Sequence, residues 1–378
     1  LGGIDTVDVA IVGAGIAGAS LAYELAAHGR VLLLEAEPRA GYHATGRSAA
    51  LFSETYGNGI VRALSGASRE FLENPPDCFE RPILTARGAI HIGSDAHADQ
   101  LRAFAADCQK VQPSVHMIDR GDIAALVPIL KPACAAVGAY EPDAREIETA
   151  RMHGGFLRGF KQRGGELVVD ERVGAVRRDG TQWHIDTPRR RIAAKVIVNA
   201  AGAWADELGA AAGIGKLGLE PLRRTAVIVA GPDATDVRSW PMVIDADEQF
   251  YFKPDADRLL VSPADETPSP PVDAMPDDLD IAVAVDRFEN ATTHAVRRVE
   301  HSWAGLRTFA PDRSPVVGFD PRGAGFLWFA GQGGYGFQLA AALAQAGAAL
   351  VNGQPLPASI ARHGITPEML GPARLLSR

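Results

Sequence analysis

A glycine-rich turn set between a β-branched strand and a helix constrains this chain more than any other feature. Val7-Asp8-Val9-Ala10-Ile11-Val12 is a short apolar run of the kind that forms a buried parallel strand. It leads directly into Gly13-Ala14-Gly15-Ile16-Ala17-Gly18, a complete G-x-G-x-x-G. A helical pattern follows from Ala19 through Ala27 and ends at Gly29. The pattern then predicts a second strand, Val31-Leu32-Leu33-Leu34, closed by Glu35 and Ala36. Glu35 stands 22 residues after Gly13, the spacing at which an acid meets a nucleotide ribose. Gly13 permits the tight turn, Gly15 lets the backbone approach a pyrophosphate, and Gly18 lets helix and strand pack closely. The helix N-terminus turns free N–H groups and a positive dipole end towards the phosphates, which Ile16 and Ala17 in the loop before it would also touch. Strand, glycines, helix, strand and acid in that order predict a dinucleotide site, and the acid disfavours a 2′-phosphate.

The 378 residues suffice for two domains. A net charge of −8 argues against a nucleic-acid surface, which needs a basic field. The densest basic run, Arg189-Arg190-Arg191 with Arg177 and Arg178 upstream, reads as a solvated strand-and-turn edge. Cys78, Cys108 and Cys134 form no C-x-x-C pair, so neither a disulfide framework nor a thiolate zinc site is expected, and a reducing compartment fits. His294 and His301 stand seven apart, a spacing that can share a helix face, but lack a third ligand, so no metal is expected. No run of apolar residues is long enough for a transmembrane segment; Phe337 to Val351 suits a buried helix. A strand starting so close to Leu1 leaves no space for a signal peptide, although a leader removed before Leu1 is compatible with the missing Met. The expectation is a cytoplasmic protein, peripheral to the membrane if it is coupled to a respiratory acceptor.

Three further segments carry a family resemblance. Gly41-Tyr42-His43-Ala44-Thr45-Gly46-Arg47-Ser48-Ala49-Ala50 follows the acid with small residues that allow close backbone approach. Val196-Ile197-Val198-Asn199-Ala200-Ala201-Gly202-Ala203-Trp204 reads as a buried strand and a small-residue turn. Phe326-Leu327-Trp328-Phe329-Ala330 runs into Gly331-Gln332-Gly333-Gly334-Tyr335-Gly336-Phe337 and an apolar helix. Together with the first motif these resemble the D-amino-acid oxidase, glycine oxidase and sarcosine oxidase superfamily. The resemblance implies FAD, held by Gly46, Arg47, Ser48, Ala49 and Ala50, by Ala200, Ala201, Gly202 and Trp204, and by Gly333, Gly334, Tyr335, Gly336 and Phe337. A strand through Glu171-Arg172-Val173-Gly174-Ala175-Val176 would meet the adenine near Val173. Attachment would be non-covalent, because no Cys follows Cys134. Cofactor segments at the start, middle and end of the chain imply a discontinuous Rossmann-type α/β domain from residues 1–75, 145–215 and 315–378. An α+β substrate domain on a mixed or antiparallel sheet would be inserted as residues 76–144 and 216–314.

Within that superfamily the chain resembles the bacterial FAD-dependent D-arginine dehydrogenases, in Gly41-Tyr42-His43, Arg223-Arg224, Trp303-Ala304-Gly305-Leu306-Arg307 and the glycine loop at Gln332. The resemblance implies that Arg224 and Arg307 fork a substrate carboxylate, with Tyr251, Tyr56 and the backbone at Gly334 around it and Met242 and Ile244 as apolar walls. Arg223 and Arg224 adjoin on one strand, so at most one faces the site and the other belongs to the surface. Ala89 stands where those dehydrogenases carry an acid, and Leu51 where they carry a histidine. This predicts neutral or apolar substrate side chains, unless Glu54 supplies a charge. The expected reaction is oxidative deamination of a D-amino acid to a keto acid and ammonia, with oxygen, a quinone or a carrier as electron acceptor. Glycine- or sarcosine-oxidase-like amine oxidation and hydroxy-acid dehydrogenation are the alternatives. No base stands out beyond His43, a loop histidine near the cofactor.

Overall fold

The computed structural model describes residues 4–233 and 235–376. Two large sheets face each other across the cofactor segments. The first has eight strands, in the order Val176–Asp179, Gln182–Asp186, Arg191–Asn199, Ile4–Val12, Val31–Leu34 and Glu166–Val168. Phe326–Ala330 also pairs with Arg191–Asn199, and Val316–Phe319 extends it. Its centre is parallel: Ile4–Val12 lies between Arg191–Asn199 and Val31–Leu34, and Phe326–Ala330 joins in parallel. Parallel strands covered on both faces need apolar residues throughout, and every residue of Val31–Leu34 and of Phe326–Ala330 is buried. The helices Ile16–Leu25, Thr149–Gln162 and Gly336–Val351 pack together over one face. Gly347 lets the last of these press in, since a β-carbon there would stand 3.0 Å from both Leu21 and Phe329.

The first helix begins earlier than its sequence pattern suggests, at Ile16 rather than Ala19, and ends at Leu25. Gly15 is its N-cap in extended conformation, so the phosphate motif and the first helical turn are one unit. Gly18 makes this possible: a β-carbon on it would lie 1.8 Å from the Gly13 carbonyl oxygen.

The second sheet has nine strands, in the order Thr267–Pro268, Glu220–Ala230, Arg258–Ser262, Tyr251–Asp255, Met242–Asp245, Ala89–Gly93, Val137–Glu141 and His116–Asp119. Val299–Phe309 also pairs with Glu220–Ala230. All pairings are antiparallel except Met242–Asp245 with Ala89–Gly93, so the sheet is mixed. Side chains alternate between faces along each strand, and the register aligns that alternation across the sheet. One face carries Ile90, Val227, Val243, Phe252 and Val261 into a core closed by Ala284 and Phe288 of the helix Asp278–Ala291. The other face is turned towards the first sheet. A small sheet of Leu51–Phe52, Arg145–Ile147 and Leu84–Ala86 lies beside them, tied to the second sheet by an ion-pair network of Glu146 with Lys253 and, at 2.6 Å, Arg87.

Two local expectations are corrected. Residues 171–175, read as a strand, are irregular; the strand starts at Val176. His294 and His301 share no helix, because the helix ends at Ala291 and His301 lies in the strand Val299–Phe309. The arginine-rich edge is exposed as expected, with Arg189 paired to Glu171 at 2.6 Å and Arg190 to Glu166 at 2.7 Å. No helix among the described residues is long and apolar enough to cross a membrane.

Candidate active site

Two cavities lie between the sheets, of about 360 Å³ and about 860 Å³. Gly15, Thr45, Arg47, Ala200 and Gly202 line both, so the two form one elongated channel. Its narrower end is walled by Gly13, Glu35, Ala36, Val173, Ala201 and Trp204, all expected from the sequence to touch the cofactor. Glu35 is fixed by two backbone donors: Ala14 N–H at 2.8 Å to Oε2 and Glu37 N–H at 3.0 Å to Oε1. A carboxylate held this way keeps its remaining lone pairs towards the cavity. Gly13 has φ +103°, and a β-carbon on it would meet the Ala200 carbonyl oxygen at 2.4 Å, so no other residue fits this turn. Among the described residues, a β-carbon built on Gly15 would meet just the Thr45 hydroxyl, at 3.0 Å, leaving the loop open for close approach of a ligand.

Ile16, Ala17, Ser48, Ala49 and Ala50 line the wider end, as do Gly333, Gly334, Tyr335, Gly336 and Phe337. Gly46 and Gly18 shape the loops without lining either cavity. The Gly46 N–H closes a turn onto the Gly41 carbonyl at 2.8 Å. Arg47 borders both cavities, but its guanidinium turns away from them. It donates to the carbonyls of Ala274 and Ala304 at 2.7 and 2.9 Å and pairs with Asp273. Two buttresses of the glycine loop carry no motif of their own. Thr45 Oγ1 accepts the Ile16 N–H at 2.9 Å, and His153 Nε2 lies 2.9 Å from the Ala14 carbonyl. His43 belongs to the narrow end, bonded to Glu37 at 3.1 Å and packed against Trp204, and does not line the wider cavity.

The wider end exposes the cavity face of the second sheet. Leu222 opposes Arg307, and Arg224 opposes Gly305, so Arg224 and Arg307 stand on one face as diagonal neighbours. The same alternation carries Tyr251, Met242 and Ile244 to that face, and all of these line the cavity. Arg223 points the other way and is not a surface residue: it pairs with Asp280 at 2.7 Å beneath the helix Asp278–Ala291.

The two cavity arginines differ in how they are held. Arg224 donates to the Asp265 carbonyl at 2.7 Å and to Glu266 at 3.3 Å, and Glu266 also pairs with Arg313 at 2.8 Å. Arg307 has no hydrogen bond or ion pair among the described residues. Its guanidinium meets Gly334 and Tyr56, since a β-carbon on Gly334 would lie 3.0 Å from Arg307 Nη1 and 3.4 Å from Tyr56 Oη. Burial works against the Arg307 charge, but Tyr251, Tyr56, Glu266 and Tyr335 outweigh it and hold the group above the usual guanidinium range. Burial alone would raise the Tyr251 phenol; Arg307 and Arg224 overcome this and hold it below its usual range. Tyr56, 43% exposed, stacks edge-on against Tyr335 at 5.1 Å and lies on the outer side of the cavity.

Glu54 lies outside the cavity, paired with Arg69. The acid that does reach the cavity is Glu141, which no sequence motif marks. It is buried, and it accepts hydrogen bonds from Ser53 at 2.9 Å and Thr55 at 2.7 Å. Burial pushes its carboxyl above the usual range, against the pull of those two hydroxyls. His91, one strand away on the same face, stacks on Phe104 at 4.3 Å, and burial lowers its pKa to about 4.

The profile of the FAD dependent oxidoreductase family (DAO) matches residues 8–350. The chain belongs to this family. It is therefore an FAD-binding oxidoreductase, and the glycine loop, Glu35 and the two joined cavities fit that cofactor. It is 25% identical to glycine oxidase of Geobacillus kaustophilus over 338 residues, 86% of this chain and 87% of that one. With mitochondrial dimethylglycine dehydrogenase of Mus musculus it shares 27% identity over 272 residues, 68% of this chain but only 30% of the relative. In fold it is similar to L-proline dehydrogenase of P. horikoshii, with a TM-score of 0.83 at 20% identity and 99% of both chains covered.

Proposed function

We propose that this oxidoreductase deaminates D-amino acids, with Arg307 as the anchor of the substrate carboxylate. The observation that carries the reading is the unpaired guanidinium of Arg307 facing the wider cavity. Guanidinium donors that no residue around them satisfies call for an acceptor, and a planar carboxylate is the ligand that best fits their fork. The relatives named for glycine and dimethylglycine support the carboxylate anchor, since each of these compounds carries a carboxylate next to an amine-bearing carbon.

In this reading Arg307 forks the carboxylate and Tyr251 adds its phenol, while Arg224 is pre-set by Asp265 and Glu266 to complete the clamp. The Gly334 backbone, pressed against Arg307 and Tyr56, would accept from the substrate amine. Two fixed points, carboxylate and amine, orient the α-hydrogen and convert binding energy into alignment. Bound FAD would supply the hydride acceptor, and the imine released would hydrolyse to a keto acid and ammonia. With His43 at the far end of the channel, the amine gives its proton to water, so the rate rises with pH to a plateau. Met242, Ile244, Ala89 and Leu51 present an apolar wall to the substrate side chain, which suits short neutral substrates. Long side chains pass beyond that wall to Glu141, so the preference drawn from Ala89 and Leu51 does not extend to them.

The test is product analysis with D- and L-alanine, D-methionine, glycine, sarcosine and the matching amines that lack a carboxylate. Keto acid and ammonia from the D-amino acids, with the amines inert, is the expected result. Equal turnover of the amines would remove Arg307 from its role. Turnover of glycine or sarcosine alone, in line with the glycine oxidase relative, would move the activity to small-amine oxidation.

A further inference from the structure

The far end of the wider cavity is built unlike its apolar middle. Val137–Glu141 pairs with Ala89–Gly93 so that Glu141 directly opposes Ala89 and therefore stands on the cavity face. A small side chain at Ala89 leaves that acid uncovered. Both hydroxyl bonds to Glu141, from Ser53 and Thr55, end on Oε2, and Oε1 accepts nothing from the described residues. Arg62, whose charge acts on Glu141 without an ion-pair contact, is paired with Asp107 at 2.6 Å. His91 beside it has no hydrogen-bond partner among the described residues. A buried acid with one oxygen satisfied twice and the other free is a recognition group rather than a packing element, because an unpaired buried carboxyl costs stability that folding alone does not return.

We propose that Glu141, backed by Ser53 and Thr55, is the distal recognition group of the substrate site and selects side chains that end in an ammonium or guanidinium group. This rests on the reading in which Arg307 holds the carboxylate. Sheet geometry sets the reach. Strands lie about 4.8 Å apart, so the three steps from the strand of Tyr251 to that of Glu141 span roughly 14 Å. A long unbranched side chain crosses the Met242 and Ile244 wall and meets Glu141, whereas a short one stops at the wall. A terminal cation satisfies Oε1 and supplies the missing countercharge in a water-poor pocket, where such pairs are strongest.

The experiment titrates the FAD-loaded protein with caproate, ε-hydroxycaproate and ε-aminocaproate, following perturbation of the flavin visible spectrum. These probes share one length and one carboxylate and differ only at the far end, and none needs turnover. Binding of caproate tests the Arg307 anchor by itself. The expected result is that ε-aminocaproate binds about tenfold tighter than caproate or more. The Glu141→Gln protein should bring that ratio to within about twofold, because the amide keeps the shape and loses the charge. Equal binding of the amino and methyl ends by the native protein overturns the proposal, as does a ratio that survives Glu141→Gln. Binding of ε-hydroxycaproate as tight as the amine also overturns it, since charge would then play no part. No perturbation by any probe removes the carboxylate anchor and this inference together.

Discussion

Replacing Arg307 with Met separates a ligand-binding arginine from a structural one. Arg307 makes no hydrogen bond or ion pair among the described residues, so its removal strands no acid: Glu266 keeps Arg224 at 3.3 Å and Arg313 at 2.8 Å. Folding stability should therefore change little, because no hydrogen-bond partner is orphaned. The substrate loses two charge-assisted hydrogen bonds of about 1.5–3 kcal/mol each, so roughly 3–6 kcal/mol. At about 1.4 kcal/mol per decade that is a loss of roughly a hundredfold to ten-thousandfold in kcat/KM. Arg307→Lys, which keeps the charge and loses the fork, should fall between native and Met. The assay is the anaerobic rate of flavin reduction against substrate concentration, beside thermal unfolding of the FAD-loaded protein. A variant that unfolds more than about 5 °C earlier, while kcat/KM falls by less than about tenfold, would refute the reasoning.

Further outcomes follow from the same geometry. Arg223→Met breaks the pair with Asp280 on the opposite face of the sheet; it should cost about 1–3 kcal/mol in denaturant unfolding while kcat/KM stays within about twofold of native. Gly18→Ala forces a β-carbon to within 1.8 Å of the Gly13 carbonyl, so the protein should be purified without flavin, checked by the ratio of visible to ultraviolet absorbance. Burial holds His91 at about 4 against 6.5, so its contribution to stability is full above pH 6.5 and is lost as pH falls towards 4, on the order of 3 kcal/mol. Glu141, raised by burial, acts in the opposite sense, which makes the difference between native and His91→Phe the useful quantity. The variant should lose less stability than native between pH 6.5 and 4 in thermal unfolding, and parallel profiles would contradict the assignment.

The features legible in the sequence are those whose physics is local. A tight turn that only Gly13 fits, a close approach at Gly18 and an acid after the second strand all sit within a few dozen residues, and their spacing carries the meaning. The adjacency of Arg223 and Arg224 predicted that at most one faces the site; only the family resemblance singled out Arg224, and its physical reason is the register with the strand of Arg307. Reading Arg223 as a surface residue failed because its face is closed by the helix Asp278–Ala291, which begins more than fifty residues later. Glu141 was out of reach for the same reason. Nothing near it marks an acid of interest, and its place follows from pairing with Ala89 and from hydroxyls at Ser53 and Thr55 far earlier in the chain. Thr45 and His153 buttress the glycine loop through single contacts that leave no pattern in the sequence.

The central claim, that this oxidoreductase draws hydride from amino acids anchored at Arg307, is tested most directly by anaerobic bleaching of its bound flavin. D-amino acids should bleach the flavin absorbance, their L-enantiomers should do so far more slowly, and the Arg307→Met protein should need far higher concentrations. A flavin that stays oxidised with every amino acid, or that bleaches equally well in Arg307→Met, would contradict the account.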